Sequence, residues 1–188
     1  MWKAIHDKLR DKVRLQAGRK ATPTAGILAS QSVKTTPIGG KERGYEAGKN
    51  VNGRKRHLLV DTRGWELIAV VHAASTQDPV GAKLVLERSA NHFTRLVRIW
   101  ADGRYVGTLI DWVWKLRTSR RMRLEIVKRS ANQKGFVVLP RRWVVERTFA
   151  WLERFRRLSK DYERLTDTSE TMIYLAMTRL RLQRLEAK

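Results

Sequence analysis

The sequence predicts an α/β or α+β fold in which helices flank a mixed β-sheet. Short apolar segments of strand length alternate with amphipathic segments of helix length through most of the chain. Hydrophobic residues make up 42% of the chain, an ordinary share for a folded domain. With 188 residues, the chain can bury the core of one domain and hardly of two.

The N-terminal third combines a helix, a strand and a long polar segment. Apolar residues at three- and four-residue steps predict a helix over 2–17. A strand is expected over 26–33, GILASQSV, and a basic, glycine-rich loop over 34–56. We expect residues 1–24 to form a short N-terminal helix and linker, and residues 25–188 to form the main domain.

From residue 57 onward, strands and helices alternate. Apolar segments on both sides of Arg63 and Gly64 predict a hairpin of two strands. The next segments predict, in order, a helix over 78–93, a strand over 96–102, a helix over 108–117 and a strand over 123–130. Two further helices, over 141–165 and 169–187, are expected to close the chain as a C-terminal helical pair.

The charge of the chain favours a polyanionic partner. Its formal net charge is +22, and a compact fold with that charge repels itself unless an anion neutralises it. Nucleic acid is the partner that such a charge predicts. A membrane surface is the alternative, but it is usually bound by one basic amphipathic helix, whereas lysine and arginine occur here throughout the chain.

Several other classes of site are excluded by composition. The chain has no cysteine, which excludes disulfides, cysteine–zinc sites and thiol nucleophiles. Its four histidines do not have the spacing of a metal site. There is no apolar segment of membrane-spanning length, and the charged N-terminus is unlike a signal peptide, so a cytoplasmic location is expected.

Two carboxylates stand in positions where chemistry is common. Asp102 ends the predicted strand 96–102, and ligands in α/β folds bind at such strand ends, although an aspartate before a glycine also forms turns. Glu146 lies at the edge of the apolar stripe of the helix 141–165 and shares a face with Arg142. That face could be a surface ion-pair ladder, or Glu146 and Asp102 could form a divalent-metal site.

Four longer motifs carry a family resemblance: SQSVKTTPIGGKERGYEAGKNVNGRKRHLLVDT, WADGRYVG, VVLPRRWVVERTFAWLERFRRLSKDYE and SETMIYLAMTRL. Together they make the chain, from about residue 25 to 185, resemble the DDE transposases of bacterial insertion sequences. The resemblance implies an RNase H-like catalytic domain and DNA as the partner. It also implies that three acids, Asp, Asp and Glu, hold two Mg²⁺ ions for DNA strand cleavage and transfer.

The family's second and third acids correspond to Asp102 and Glu146, which the resemblance marks as catalytic metal ligands. The first acid does not: the family pattern ILDSQSVK reads ILASQSVK here, so Ala29 takes its place. A methyl group cannot ligate a metal, so we expect impaired magnesium binding and cleavage. Asp61, at the end of the next strand, could in principle substitute, although the family pattern does not support it.

Further departures accompany Ala29. Arg104 stands where the family commonly has a second glycine, and Leu139 and Glu153 occupy the Tyr and Lys positions of the signature around Glu146. The family's upstream DNA-end-binding region is expected to be missing. The partner could therefore be a second copy of the chain or a protein that supplies this region, at the bacterial nucleoid.

Three functions stay open at this point. The first is a transposase catalytic domain with impaired cleavage, and the second is a non-catalytic DNA-binding remnant of a decayed insertion element. The third, an RNA-binding protein, gives no reason for Asp102 and Glu146. The residues expected to contact DNA are Lys34, Lys49, Arg54, Lys55, Arg56, Arg142, Arg147, Arg156, Arg157 and Lys160. The tryptophans Trp112, Trp114, Trp143 and Trp151 are expected in the core.

Overall fold

A computed structural model describes residues 1–116, 121–127 and 141–187. The strands are β1 (Ala25–Lys34), β2 (Gly44–Glu46), β3 (Val51–Asp61), β4 (Glu66–Ala73), β5 (Arg98–Ala101) and β6 (Arg123–Ile126). The helices are α1 (Trp2–Gln16), α2 (Asp78–His92), α3 (Thr108–Lys115), α4 (Arg142–Glu153) and α5 (Thr166–Glu186). Leu139 and residues 128–130 of the strand expected over 123–130 lie outside the described residues.

Strand β1 lies at the centre of the sheet. It pairs antiparallel with β3, with Gly26 opposite Asp61, and parallel with β5, with Ile27 opposite Trp100. Strand β6 continues the sheet in parallel beside β5, while β2 and β4 both pair antiparallel with β3. The sheet is therefore mixed, as the sequence predicts.

Helices cover both faces of this sheet. Alternate side chains of the strands point to opposite faces, so Ile27 packs with α1, α4 and α5, while Leu28 packs with α2 and α3. The α5 helix also lies along α1, and the buried Arg181 of α5 donates hydrogen bonds to the carbonyls of His6 and Glu66. This three-layer arrangement confirms the expected RNase H-like α+β fold.

The segment expected to be a loop over 34–56 is in large part sheet. It contains β2 and the first half of β3, and β3 pairs on both edges from Arg54 onward. Its basic side chains hide the strand pattern because lysine and arginine are rarely buried. The expectation that Arg54, Lys55 and Arg56 form an exposed DNA-contacting loop is wrong, since all three are at most 3% exposed.

The buried arginines of β3 bind the chain that follows α4. Arg54 donates to Asp161 Oδ1 at 3.1 Å, and also to the carbonyl oxygens of Glu163 and Arg164. Arg56 donates to the carbonyl of Leu158 at 2.8 Å. These bonds need carbonyl groups that are free of helical hydrogen bonding.

The long helix expected over 141–165 is therefore wrong beyond Glu153. The chain leaves the helix after Arg154, and Phe155 is extended. Asp161 then bonds through its backbone N–H to the Lys34 carbonyl at the end of β1. No glycine or proline lies at this break, and the apolar residues keep their helical spacing beyond it. The sequence therefore predicts a longer helix than the chain forms.

The Arg54 side chain is predicted to be required for stability. Arg54→Ala leaves the buried Asp161 carboxylate without its cation, and we expect it to lower the free energy of unfolding by about 3–5 kcal/mol. Urea unfolding followed by circular dichroism measures the change. The control is Arg156→Ala, an exposed arginine three residues after the end of α4, which should stay within about 0.5 kcal/mol of the parent chain. Equal effects of the two substitutions would contradict the assignment.

Candidate functional site

The candidate site lies where β1 and β5 run side by side. The last paired residues there are Ile27 and Trp100, and two residues further along each strand stand Ala29 and Asp102. Because side chains alternate with a period of two, both residues belong to the same face as Ile27 and Trp100. Ala29 accordingly packs against the core cluster that contains α4. The position of the expected first acid is thus level with Asp102.

Asp102 is held by the turn that follows β5. Its Oδ1 accepts a hydrogen bond from the backbone N–H of Arg104 at 2.8 Å, which caps a short 3-10 turn over Gly103–Tyr105. Its other oxygen, Oδ2, is left for contacts with side chains. Asp102 therefore follows the end of β5 and also caps a turn, so the two interpretations of this residue from the sequence are compatible.

Glu146 meets Asp102 through an arginine. Arg142 Nη2 lies 3.3 Å from Glu146 Oε1, one helical turn away, and 3.7 Å from Asp102 Oδ2. The start of α4 is fixed over β5 because the Arg141 guanidinium stacks 4.2 Å above the Trp100 ring. The side chain of Glu146 is 61% exposed and that of Asp102 is 16% exposed, so the pair opens to solvent on the side of Glu146.

A second guanidinium approaches the same carboxylate. Arg104 Nε lies 3.9 Å from Asp102 Oδ2, and Arg104 Nη1 lies 3.6 Å from Asp78 Oδ2. Asp102 is thus flanked by two arginines, and Glu146 by one of them. Arg104 therefore places a positive charge beside the carboxylate pair.

These residues do not fit a site for two divalent ions. Such a site needs several hard oxygen ligands, and Ala29 offers none where the first acid is expected. Within 1–116, 121–127 and 141–187, no group of three acid or histidine side chains is placed to hold a metal. Both remaining carboxylates contact guanidinium groups, which compete with a cation for the same oxygens.

Asp61 is not placed to supply the missing ligand. It pairs with Gly26, three residues before Ala29 on β1, so it lies about 10 Å back along the strand. Its carboxylate is fully buried, pairs with Arg14 of α1, and accepts the backbone N–H groups of Arg63 and Trp65. The possibility that Asp61 substitutes for the first acid is therefore not supported, because this carboxylate closes the β3–β4 turn.

On the other face of β1 lies a polar cluster that the sequence did not reveal, formed by Ser30, Lys55, His57, His72 and Asp78. Asp78 Oδ1 accepts from Ser30 Oγ at 2.7 Å and lies 3.2 Å from Lys55 Nζ. His57 Nδ1 and His72 Nε2 are 2.8 Å apart. The sequence signal for this cluster is the pair Lys55 and His57, which stand two residues apart and so lie on one face of β3. The prediction of a loop over 34–56 assigns Lys55 to no strand, so it misses this signal.

Ionisation in this polar cluster is set by burial and by its neighbours. Burial, together with the neighbouring His72, lowers the pKa of His57 to about 3. Burial also lowers the pKa of His72. For Asp78, burial alone would raise the pKa, but the hydrogen bond from Ser30 and the charge of Lys55 outweigh it and lower the pKa. Both histidines are therefore neutral at pH 7 beside an ionised aspartate.

The expected DNA-contacting residues fall into three groups. Arg54, Lys55 and Arg56 are buried. Lys49, Arg142 and Arg157 are paired with carboxylates, those of Glu46, Glu146 and Glu163 respectively. The other four, Lys34, Arg147, Arg156 and Lys160, have no carboxylate within 4.0 Å in the part of the chain that the structure describes.

Two of the tryptophans expected in the core are exposed. Trp143 is 40% exposed and Trp114 is 47% exposed, each with an arginine guanidinium over its ring. Trp151 is half-buried and packs at the rim of the core. Helical spacing alone does not separate an aromatic that is buried from one covered by an arginine.

Two comparisons found known proteins whose sequences are similar to this chain. Residues 20–181 match the family model described as Transposase DDE domain. A protein of Burkholderia cepacia that is assigned as a transposase for insertion sequence element IS402 is 30% identical over 123 residues. The match covers 61% of this chain and 56% of that protein, so the chain spans about half the length of this relative. None of the helices that the structure describes is long and apolar enough to cross a membrane.

The two neutral histidines predict acid-sensitive stability. Their pKa values are lowered in the fold, so below the unfolded value of about 6.5 the unfolded chain binds more protons than the folded chain. Stability is then complete above pH 6.5 and falls as the pH drops, with a slope of up to about 1.4 kcal/mol per pH unit from His57. His72 acts in the same direction. Glu170 opposes this trend, because burial raises its pKa.

The test compares urea unfolding at pH 7.5, 6.0 and 5.0 for the parent chain, His72→Gln and His92→Gln. His92 is exposed at the end of α2, so its substitution should leave the pH dependence unchanged. We expect His72→Gln to make the fall between pH 6.5 and 5 shallower. Identical slopes in all three proteins would show that the buried histidines do not carry the effect.

Proposed function

Because this chain belongs to the transposase DDE domain family, whose general function is DNA transposition, we propose that it is a DNA-binding transposase domain with impaired strand cleavage. The observation that carries the proposal is the position of Ala29, level with Asp102, where the family's first acid is expected. The residues retained from the expected acid set are then Asp102 and Glu146. We assign residues 25–188 to this function, with Asp102 and Glu146 as the equivalents of the family's metal ligands.

The proposal assigns a different task to the arginines at the site. Arg104 and Arg142 lie beside the two carboxylates, and their side chains are 51% and 29% exposed, so both remain accessible to a ligand. Guanidinium groups bind phosphate oxygens through paired hydrogen bonds, so this site can hold a DNA phosphate while lacking a ligand for cleavage. Mg²⁺ would bind weakly here, since it must displace these guanidinium groups from the two carboxylates.

A wider surface is proposed to bind the DNA backbone. Lys34 at the end of β1 and Lys160 after α4 are brought together because the Lys34 carbonyl accepts the backbone N–H of Asp161. Arg156 is also exposed, and in the sequence it lies between the end of α4 and Lys160. Contacts of this kind position DNA through its phosphates and carry no sequence information. We propose that this happens at the bacterial nucleoid, with a second copy or a partner protein completing the complex.

The alternative is a DNA-binding remnant of a decayed insertion element with no residual catalytic role. It predicts the same DNA binding but no recovery of cleavage when the first acid is restored. The observation that favours it is the pair of arginines at Asp102, since Arg104 adds a second departure from the family at the same site.

DNA binding is expected to depend steeply on salt. Each phosphate contact contributes about 0.9 to the slope of log K against log salt concentration. The double substitution Arg156→Gln and Lys160→Gln should lower this slope by about 2, measured by fluorescence anisotropy with a labelled duplex. The matched control removes two exposed lysines from α1, Lys8→Gln and Lys12→Gln, and should leave the slope unchanged. An affinity that does not change with salt would contradict the proposal.

Restoring the first acid should restore chemistry. We expect the parent chain to leave duplex DNA intact in Mg²⁺ or Mn²⁺, and Ala29→Asp combined with Arg104→Gly to bind Mg²⁺ and nick DNA. Adding Glu146→Gln to that variant should abolish both gains, because a carboxylate ligand is lost. Calorimetry with Mg²⁺ and a nicking assay on supercoiled DNA are the two measurements.

Each outcome of that assay separates the alternatives. Cleavage by the parent chain would show that Ala29 does not impair the site. Metal binding without cleavage by the restored variant would favour the DNA-binding remnant.

A further inference from the structure

A second concave region lies away from Asp102, at the β3–β4 turn. It consists of two adjoining depressions with cavity volumes of about 210 and 370 Å³, which share Trp65, Arg184 and Ala187 in their walls. The larger depression falls in the range of roughly 300–1,000 Å³ that small-ligand pockets occupy, and the smaller one extends it. Asp61, where the turn begins, pairs with Gly26, three residues before Ala29, so this region lies about 10 Å back along β1 from the level of Asp102. We call it the turn cavity.

Aromatic surface forms one wall of the turn cavity. Trp65 and Trp151 both line it, with ring centroids 5.8 Å apart and planes tilted by 36°. The exposed Trp143 stands two helical turns before Trp151 on α4. Flat indole surface of this kind stacks with planar ligands, and nucleobases stack on it regardless of their sequence.

Three arginines line the other wall. Arg63, Arg147 and Arg184 surround the larger depression, and none of them has a carboxylate within 4.0 Å among the described residues. Burial lowers the pKa of Arg147, and the charges of Arg184 and Arg63 lower it further. The nearby Asp61 is already paired with Arg14. The turn cavity therefore has an excess of positive charge that an anion would neutralise.

The wall is held in place before any ligand binds. Arg147 Nη2 donates to the Arg63 carbonyl at 2.8 Å, and its guanidinium lies 4.3 Å from the Trp143 ring centre and 4.7 Å from that of Trp151. Thr148 Oγ1 donates to the Gly64 carbonyl at 2.9 Å, and Gly64 has a φ of +86°. These bonds join the turn to α4, so little conformational entropy is lost on binding.

We propose that the turn cavity binds one unpaired nucleotide, with its base on the indole of Trp151 and its phosphate on Arg63, Arg147 and Arg184. A purely apolar ligand would leave three guanidinium groups without an anion, and a bare phosphate would leave the indole wall unused. A free nucleotide and an unpaired nucleotide at a DNA end offer the same chemistry. Only the DNA source rests on the proposed function.

The experiment uses 2-aminopurine, whose fluorescence changes when it stacks on an aromatic ring. The three probes are 2-aminopurine deoxyribonucleoside 5′-monophosphate, a duplex with 2-aminopurine unpaired at its end, and a duplex with 2-aminopurine paired inside. We expect quenching with the unpaired probes and none with the internal one. Anisotropy of the same duplexes reports DNA binding separately, so a failed proposed function and an empty turn cavity give different results.

Matched variants identify the cavity. Trp151→Leu should weaken binding of the unpaired probes by at least about fivefold, whereas Trp151→Phe should retain most of it. Arg184 is exposed, so Arg184→Gln should leave the core intact. It should weaken binding several-fold, and the loss of affinity should be larger at low salt. Trp114→Leu and Arg121→Gln alter an arginine-covered tryptophan on the opposite face of the sheet and should have no effect.

The probes distinguish the two sources of the nucleotide, a DNA end and a free nucleotide. Stronger quenching of the unpaired end than of the monophosphate identifies a DNA end as the ligand, and equal affinity identifies a free nucleotide; both support the turn cavity. Quenching that survives Trp151→Leu and Arg184→Gln, equal quenching of the paired internal probe, or no quenching of any probe would overturn the proposal.

Discussion

Consecutive basic side chains in β3 lie inside the fold, and their need for hydrogen-bond acceptors shapes the rest of the molecule. A buried guanidinium without partners costs several kcal/mol, so Arg54 and Arg56 must find carbonyl or carboxylate oxygens. They find them in the segment from Leu158 to Arg164, which consequently does not continue the α4 helix. The length of α4, and with it the path of the chain toward α5, follows from this requirement.

The same constraint fixes the geometry of the site. One end of α4 is tied to β3 through the segment after it, and the other end is tied to β5 by Arg141 stacked over Trp100. With both ends held, Glu146 lies at a set position on the helix, one turn after the arginine that contacts Asp102. The Gln31–Glu153 hydrogen bond at 2.6 Å gives a further contact between β1 and α4. Two carboxylates far apart in sequence thus share one cation.

Sequence patterns predicted those elements whose apolar residues face a core without interruption. The helix begun by Asp78, the strand before Asp102 and the hairpin about Gly64 all follow the expected periodicity. The patterns failed where charged side chains are buried, in β3, and where tertiary hydrogen bonds end a helix without a glycine or proline, at Phe155. The family resemblance singled out Asp102 and Glu146, and the structure brings both of them to Arg142. The arginine contacts of the site were not predictable, because they depend on strand register and helix placement.

Guanidinium groups of the chain lie beside both carboxylates of the candidate site. Asp102 and Glu146 carry two negative charges, and Arg104 and Arg142 carry two positive ones within 4.0 Å of them. An aspartate at position 29 would add an uncompensated negative charge beside Asp102, and like charges held close together favour the binding of a cation. Alanine removes that demand, and the guanidinium groups supply the remaining neutralisation. With alanine at position 29, the carboxylates of the candidate site are paired with the chain's own guanidinium groups, and under the proposed function an incoming DNA phosphate would compete with these carboxylates for arginine.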